Sequence, residues 1–247
     1  STPAIVKVED QWFAVFGSGP TDYDGTSVQN AKIFVVDLKT GAPYTKGTED
    51  WLFELNEDYA FLNSPAALDK GLNYSVDAIY FGETYCASAA CESPKQFEGM
   101  IYKLPVKCDP CEWDATVSNP VAYEDDPTLW PSPSVLMEID APVTAPLALS
   151  VDYYDNGWVY FGTGRYLRDE DKISQNQEYL IGLKDPFYNE DYNGTYYHNF
   201  ASAKTLQTSD LFVADDIAVT TSGYVFKAST GQPYGGALAT SNWGDML

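Results

Sequence analysis

Apolar residues recur along this chain in short runs that end on Phe-Gly. Trp12-Phe-Ala-Val-Phe-Gly-Ser-Gly19, Ala78-Ile-Tyr-Phe-Gly-Glu83 and Trp158-Val-Tyr-Phe-Gly-Thr-Gly164 each read as a strand running into that pair. A proline-led segment precedes each one: Pro3-Ala-Ile-Val-Lys-Val, Pro65-Ala-Ala-Leu and Pro146-Leu-Ala-Leu-Ser-Val. Another strand-like run follows each: Lys32-Ile-Phe-Val-Val-Asp-Leu, Gly99-Met-Ile-Tyr-Lys-Leu and Tyr179-Leu-Ile-Gly-Leu. The Phe-Gly pairs at 16–17, 81–82 and 161–162 lie 65 and 80 residues apart. Repetition at a sheet-sized period predicts an all-β fold built by radial repetition, a β-propeller. The uneven period is read as loop insertion. At about four strands per blade, the chain supplies roughly four blades, part of a larger ring. No window shows a 3.6-residue apolar period, so helices are expected to be rare.

The remaining elements fit that plan. Lys39-Thr-Gly41 predicts a turn after the Lys32–Leu38 strand, and Trp51-Leu-Phe-Glu-Leu55 a short outer strand. Ala78–Phe81 and Gly99–Val106 are expected to pair as a hairpin whose long tip holds Cys86 and Cys91. The stretch from Asp109 to Pro133, rich in proline and acid, reads as a surface connection. The whole of 1–247 is thus taken as one propeller domain or fragment, with an inserted Cys/Pro-rich acidic region around 84–134. Val135-Leu-Met-Glu-Ile139 resumes strand character, and Asp155-Asn-Gly157 between apolar runs is a hairpin turn signal. Equivalent alternation in the three repeats predicts like burial for Trp12, Ile79 and Trp158, with the Phe-Gly glycines at points of close approach.

Composition narrows the function. The chain has 247 residues, 45% of them hydrophobic and 15% aromatic, enough for a core. Acids outnumber bases 36 to 14, for a net charge of −22. A surface of that sign excludes nucleic acid as a partner and disfavours anionic lipid, while it permits divalent cations. No apolar run is long enough to span a membrane. The sequence opens directly in strand-like residues without a leader and is expected to be a piece of a longer secreted chain.

One loop has cation-binding chemistry. Calcium takes six to eight oxygens, from alternate side chains and a carbonyl. In Asp69-Lys-Gly-Leu-Asn-Tyr-Ser-Val-Asp77, Asp69, Asn73 and Asp77 stand at positions 1, 5 and 9, and Ser75 can offer its carbonyl at 7. Gly71 stands where an acidic ligand is expected. The acid clusters Asp22/Asp24, Asp152/Asp155 and Asp169–Asp171 read first as turns or solvated loops.

Four cysteines form the pairs Cys86-x4-Cys91 and Cys108-x2-Cys111. An even count in an extracellular chain favours two disulfides among three connectivities; a four-thiolate zinc site is the rival. His198 is the lone histidine, and no Gly-x-Ser-x-Gly elbow occurs. The Gly-x-Gly turns lack a third glycine and a following helix, so they are not dinucleotide loops. A glycosidase-like pair of carboxylates is the alternative that spacing does not reveal. A quinone-dependent dehydrogenase propeller is another, without the tryptophan-docking repeats of that fold.

Taken in order, several motifs resemble the C-terminal propeller of the PilY family, tip-associated proteins of type IV pili. These are Val15-Phe-Gly-Ser-Gly19 with Val35-Val-Asp-Leu-Lys-Thr-Gly41, Pro142-Val-Thr-Ala-Pro146, Asp77-Ala-Ile-Tyr-Phe-Gly82 with Gly99-Met-Ile-Tyr-Lys103, and above all Tyr160-Phe-Gly-Thr-Gly-Arg-Tyr-Leu167. The resemblance implies an extracellular, pilus-associated binding protein without enzymatic activity, either a tip adhesin or a calcium-modulated pilus biogenesis factor. Its partners would be pilus subunits or minor pilins and a host or surface ligand. It also implies a calcium loop at the entry to the second Phe-Gly strand, where Asp69–Asp77 lies. The chain departs from the family at Glu83, where Gly-Asp usually follows the strand, and in its longer, cysteine-bearing link to the next strand.

Overall fold

The structure is a computed structural model that describes residues 1–86, 97–106, 124–153, 156–185, 188–190, 196–198, 205–211, 217–219, 225–227 and 230. The chain forms two units, 1–206 and 207–247. Among the described residues there is no α-helix, only short 3-10 turns at Pro127–Leu129, Asp169–Ile173 and Thr208–Asp210. The fold is all-β, as the alternation predicts.

In the first unit, each Phe-Gly run is the inner strand of its own antiparallel sheet. Sheet one runs β1 (Ala4–Val8), β2 (Gln11–Gly17), β3 (Lys32–Asp37) and β4 (Pro43–Tyr44), with β5 (Phe53–Glu54) also on β3. Sheet two has β6 (Phe61–Leu62) and β7 (Ala66–Leu68) beside β8 (Ala78–Cys86), then β9 (Phe97–Pro105) and β10 (Ser134–Ile139). Sheet three is β11 (Ala148–Val151), β12 (Gly157–Gly162) and β13 (Leu180–Lys184). The proline-led segments supply β1, β7 and β11, and the following runs supply β3, β9 and β13. A hairpin of β14 (Tyr188–Glu190) and β15 (Tyr196–His198) also belongs to this unit. The second unit holds the Thr208–Asp210 turn and a hairpin of β16 (Ile217–Val219) and β17 (Val225–Lys227).

Local chemistry fixes several connections. Asp37 Oδ1 accepts the Lys39 and Thr40 amides at 2.7 and 2.8 Å, and Gly41 has φ 73°, which closes the predicted turn between β3 and β4. The expected outer strand at 51–55 shrinks to Phe53–Glu54. The β8–β9 hairpin is longer than expected. Nine pairs run from Ala78↔Pro105 to Cys86↔Phe97, so Cys86 ends a strand instead of lying in the tip, and strand pairing reaches into the region expected to be loop. Cys91, Cys108, Cys111 and most of the Asp109–Pro133 connection lie outside the described residues.

Burial corrects one expectation. Ile79 and Trp158 are 0% and 5% exposed, but Trp12 is 51% exposed. Counted back from their Phe-Gly pairs, the three are not equivalent positions, and the buried parity changes from sheet to sheet. In β2 Phe13 and Val15 are fully buried, while Ala14 and Phe16 are not; in β12 Val159 and Phe161 are buried and Tyr160 is exposed. In β8 both parities are buried. The cause is the packing of neighbouring sheets. Val6, Val8, Phe13, Val15, Ile33 and Val35 of sheet one share a single cluster with Ile79, Phe81, Tyr102 and Leu104 of sheet two. On the other face of sheet two, Tyr80 and Lys103 meet Asp185, which follows β13 with the parity of buried Ile181 and Leu183. Sheet two is therefore covered on both faces, and its inner strand reads as a continuous apolar run.

The Phe-Gly glycines also differ. A Cβ on Gly17 would stand 2.3 Å from Leu62 Cβ, and one on Gly82 would stand 2.4 Å from Asn63 Nδ2 and 2.7 Å from Val143 Cγ1. At Gly162 the nearest atom would be 3.9 Å away. Close approach explains the first two glycines and not the third.

Candidate functional site

The loop from Asp69 to Asp77 joins β7 to β8, whose ends pair at Leu68↔Ala78. Its short polar side chains hydrogen-bond the loop's own backbone. Asp69 accepts the Asn73 amide on Oδ1 at 3.1 Å and the Tyr74 amide on Oδ2 at 2.8 Å. Asn73 Oδ1 accepts the Ser75 amide at 2.9 Å, and Asp77 Oδ2 accepts the Lys70 amide at 2.8 Å. Leu72 and Tyr74 take the left-handed backbone, with φ 51° and 67°. Gly71 does not, and a Cβ there would meet only Asn73, at 3.7 Å. Asp77 and Ser75 are buried, Asp69 is half-buried and Asn73 is exposed. The loop is tied to sheet one, because Ser75 Oγ accepts the Glu9 amide at 3.0 Å and the Val76 amide donates to the Lys7 carbonyl at 2.8 Å. All four predicted oxygen-bearing residues thus sit in one compact loop. Among the described residues, no three His, Cys, Asp or Glu side chains cluster as a metal site. A cation here would rely on two carboxylates, an amide oxygen and a main-chain carbonyl.

Cys86 is the one described cysteine. It is buried against Phe97 and Tyr59, and no described cysteine is a free thiol.

Three buried clusters of ionisable side chains were not found from sequence. The first lies between sheets two and three. Asp185 Oδ2 accepts Lys103 Nζ at 2.5 Å and Tyr80 Oη at 2.6 Å, with both charged side chains out of solvent. These residues stand 82 and 105 positions apart, beyond the reach of any local motif.

The second is built on the Gly162-Thr-Gly-Arg-Tyr-Leu167 run. The buried Arg165 guanidinium reaches Asp171 at 3.2 Å and the carbonyls of Gly25 and Asp24 at 2.9 and 2.5 Å. It also stacks 4.0 Å from the Phe97 ring centroid. Burial lowers its pKa, against the pull of Asp171. Burial pushes the Asp171 carboxyl up, but the Leu167 and Arg168 amides and then Arg165 hold it below its ordinary value. One side chain thus joins loops that follow β2 and β12 to the start of β9. Beside it, Tyr23, Asp24, Tyr166, Leu167, Arg168 and Lys172 line an open groove of about 510 Å³.

The third is Glu83, on the face of β8 that meets sheet one. It is 0% exposed, and neither carboxyl oxygen makes a hydrogen bond of good geometry, although the Tyr102 hydroxyl lies close enough to act on it. Burial, then the charge of Glu57, raises its pKa to about 8, with the Tyr102 hydroxyl, as a hydrogen-bond donor, opposing. The Tyr102 hydroxyl itself donates to Met100 Sδ at 3.4 Å. Beyond Tyr102 a separate cleft of about 420 Å³ is lined by Lys46, Glu49, Trp51 and Glu54 among others; Glu83 is not in its wall.

With this geometry in view, the solved C-terminal domain of Pseudomonas aeruginosa PilY1 is similar in structure. The TM-score is 0.52 at 16% sequence identity, and the match covers 91% of this chain and 44% of that one. The likeness supports a PilY-like all-β fold. No family model and no curated protein matches the sequence. The chain spans less than half of the solved domain it resembles.

Proposed function

We propose that this chain is a propeller segment of an extracellular, type IV pilus-associated protein that works by binding, as a tip adhesin or pilus biogenesis factor. The observation that supports this reading most is the threefold unit, a Phe-Gly inner strand flanked by two antiparallel partners, in a chain that overlays on the PilY1 C-terminal domain along most of its length. In this reading the three sheets are successive blades. The loops around Arg165 and the adjoining groove, with Tyr23 and Tyr166 exposed, form the recognition surface. Minor pilins or other pilus subunits are the partners. An experimental structure should relate β2, β8 and β12 by rotation about one axis. Purified chain should bind isolated type IV pili and lose that binding in a Tyr23→Ala/Tyr166→Ala variant that still folds. A sandwich arrangement, or equal binding by the variant, sinks the reading.

Calcium is the modulating cation in this proposal. Asp69, Asn73, Asp77 and the Ser75 carbonyl would hold it, ordering the entry to β8. With no acid at position 71, the affinity expected is that of extracellular modules, roughly 10⁻⁴ to 10⁻³ M. Calorimetry should show millimolar calcium binding that Asp77→Ala abolishes. Gly71→Asp should tighten it, since that backbone does not need a positive φ. No heat of binding in the wild type removes calcium from the account and leaves the fold reading intact.

The four cysteines are proposed to form two disulfides. The even cysteine count in a chain read as extracellular supports this over zinc. Thiol titration of the denatured, unreduced chain should find none free; four thiols with one zinc would reverse the choice.

A further inference from the structure

We propose that Glu83 is a proton-dependent latch between sheets one and two: the protonated carboxyl is compatible with the closed junction, and its ionisation loosens it. The geometry comes first. Glu83 shares its face of β8 with Ile79 and Phe81, which pack into the apolar cluster common to both sheets. Its cross-strand neighbour is Met100, which in turn faces Glu138 on β10. On the same face Tyr85 pairs with Glu98, and its hydroxyl donates to Glu98 Oε2 at 2.7 Å. Glu57, from the segment before β6, is the charged group that acts on Glu83, and it has the same sign. Lys103 lies on the opposite face and is engaged with Asp185.

A carboxylate in this place would be cut off from bulk solvent, and the donor beside it is the Tyr102 hydroxyl, which is placed on Met100 Sδ and whose aid is outweighed by burial and Glu57. An ion so isolated costs several kcal/mol, far more than a neutral acid, so the proton stays or the site opens. The upward shift to about 8 agrees with that geometry. An unfolded glutamate titrates near about 4.3. Between these values the folded chain holds a proton that the unfolded chain has lost, so stability falls as pH rises and levels off above the folded value. The chain has a single histidine, so few other groups titrate in the upper part of that interval.

The test is denaturant unfolding of the purified chain at pH 6 and pH 9, with Glu83→Gln alongside. The wild type should lose on the order of tenfold to a hundredfold in its folding equilibrium constant, and Glu83→Gln less than about threefold. Hydrogen exchange, corrected for intrinsic rates, should place the loss in β2, β8 and β9 ahead of β12. Equal losses in the two proteins, or none in the wild type, overturn the latch. If Glu83→Gln does not fold, infrared spectra of the wild type decide. A carboxylic-acid carbonyl band present at pH 6 and lost with a midpoint near pH 8 supports the proposal, and its absence at pH 6 ends it.

Discussion

The β8–β9 hairpin buries an ionisable side chain on each face and treats the two in opposite ways. On the face toward sheet three, Lys103 meets Asp185 and Tyr80 joins them, so charge is answered with charge and a hydroxyl. On the face toward sheet one, Glu83 has no cation to pair with, only the Tyr102 hydroxyl nearby, and Glu57 adds charge of the same sign. Desolvation is severe in both places. One face offsets it by pairing, the other by keeping a proton. A paired ion depends on every member. A lone acid needs no partner and makes the junction depend on pH.

Replacing each buried group by an apolar residue of similar size should break the symmetry most sharply. Lys103→Met removes the buried ammonium that meets Asp185 and should cost about 3–5 kcal/mol in denaturant unfolding. Adding Asp185→Asn should restore part of that loss, because the buried carboxylate that Lys103 balanced is gone. A cost below about 1 kcal/mol for Lys103→Met would mean that water already screens the pair. Glu83→Leu carries the opposite sign. It removes an acid whose oxygens make no hydrogen bond of good geometry, and at pH 7 it should stabilise by about 1–3 kcal/mol. Destabilisation would show that the carboxyl has a polar role at the junction.

The contrast between the faces was not legible in the sequence, for a definite reason. The Asp69–Asp77 loop was legible because its hydrogen bonds close over four or five residues, as from Tyr74 to Asp69. The strands were legible because alternation is local. Asp185, which meets Lys103, lies 82 residues along the chain, and nothing near Lys103 signals it. Trp12 was misread for a related reason. A strand's alternation shows that it has two faces, but which face is buried depends on whether another sheet lies beyond it. Sheet two has a neighbour on each side. Glu83 was noticed as a departure from Gly-Asp after the strand, yet nothing in one sequence says that this position is buried.

The smallest expected effects concern the glycines that end the inner strands. Gly82 belongs to the paired face, where Asn63 bonds both its amide and its carbonyl at 2.8 Å. A methyl at Gly82 would enter the space of Asn63 and Val143, and Gly82→Ala should cost about 1–3 kcal/mol by overpacking. Gly162 ends the equivalent strand of sheet three, where the same methyl meets nothing closer than 3.9 Å. Its backbone is not in the left-handed region, so Gly162→Ala should lie within about 0.5 kcal/mol of the wild type, with a slight gain from the stiffer unfolded chain. Thermal unfolding of the two variants side by side measures the difference. If Gly162→Ala proves as costly as Gly82→Ala, an element packs over the third strand end much as Asn63 and Val143 pack over the second. If it is neutral, the third Phe-Gly repeats the sequence of the first two without their contact, and steric crowding at the strand end is a property of sheets one and two.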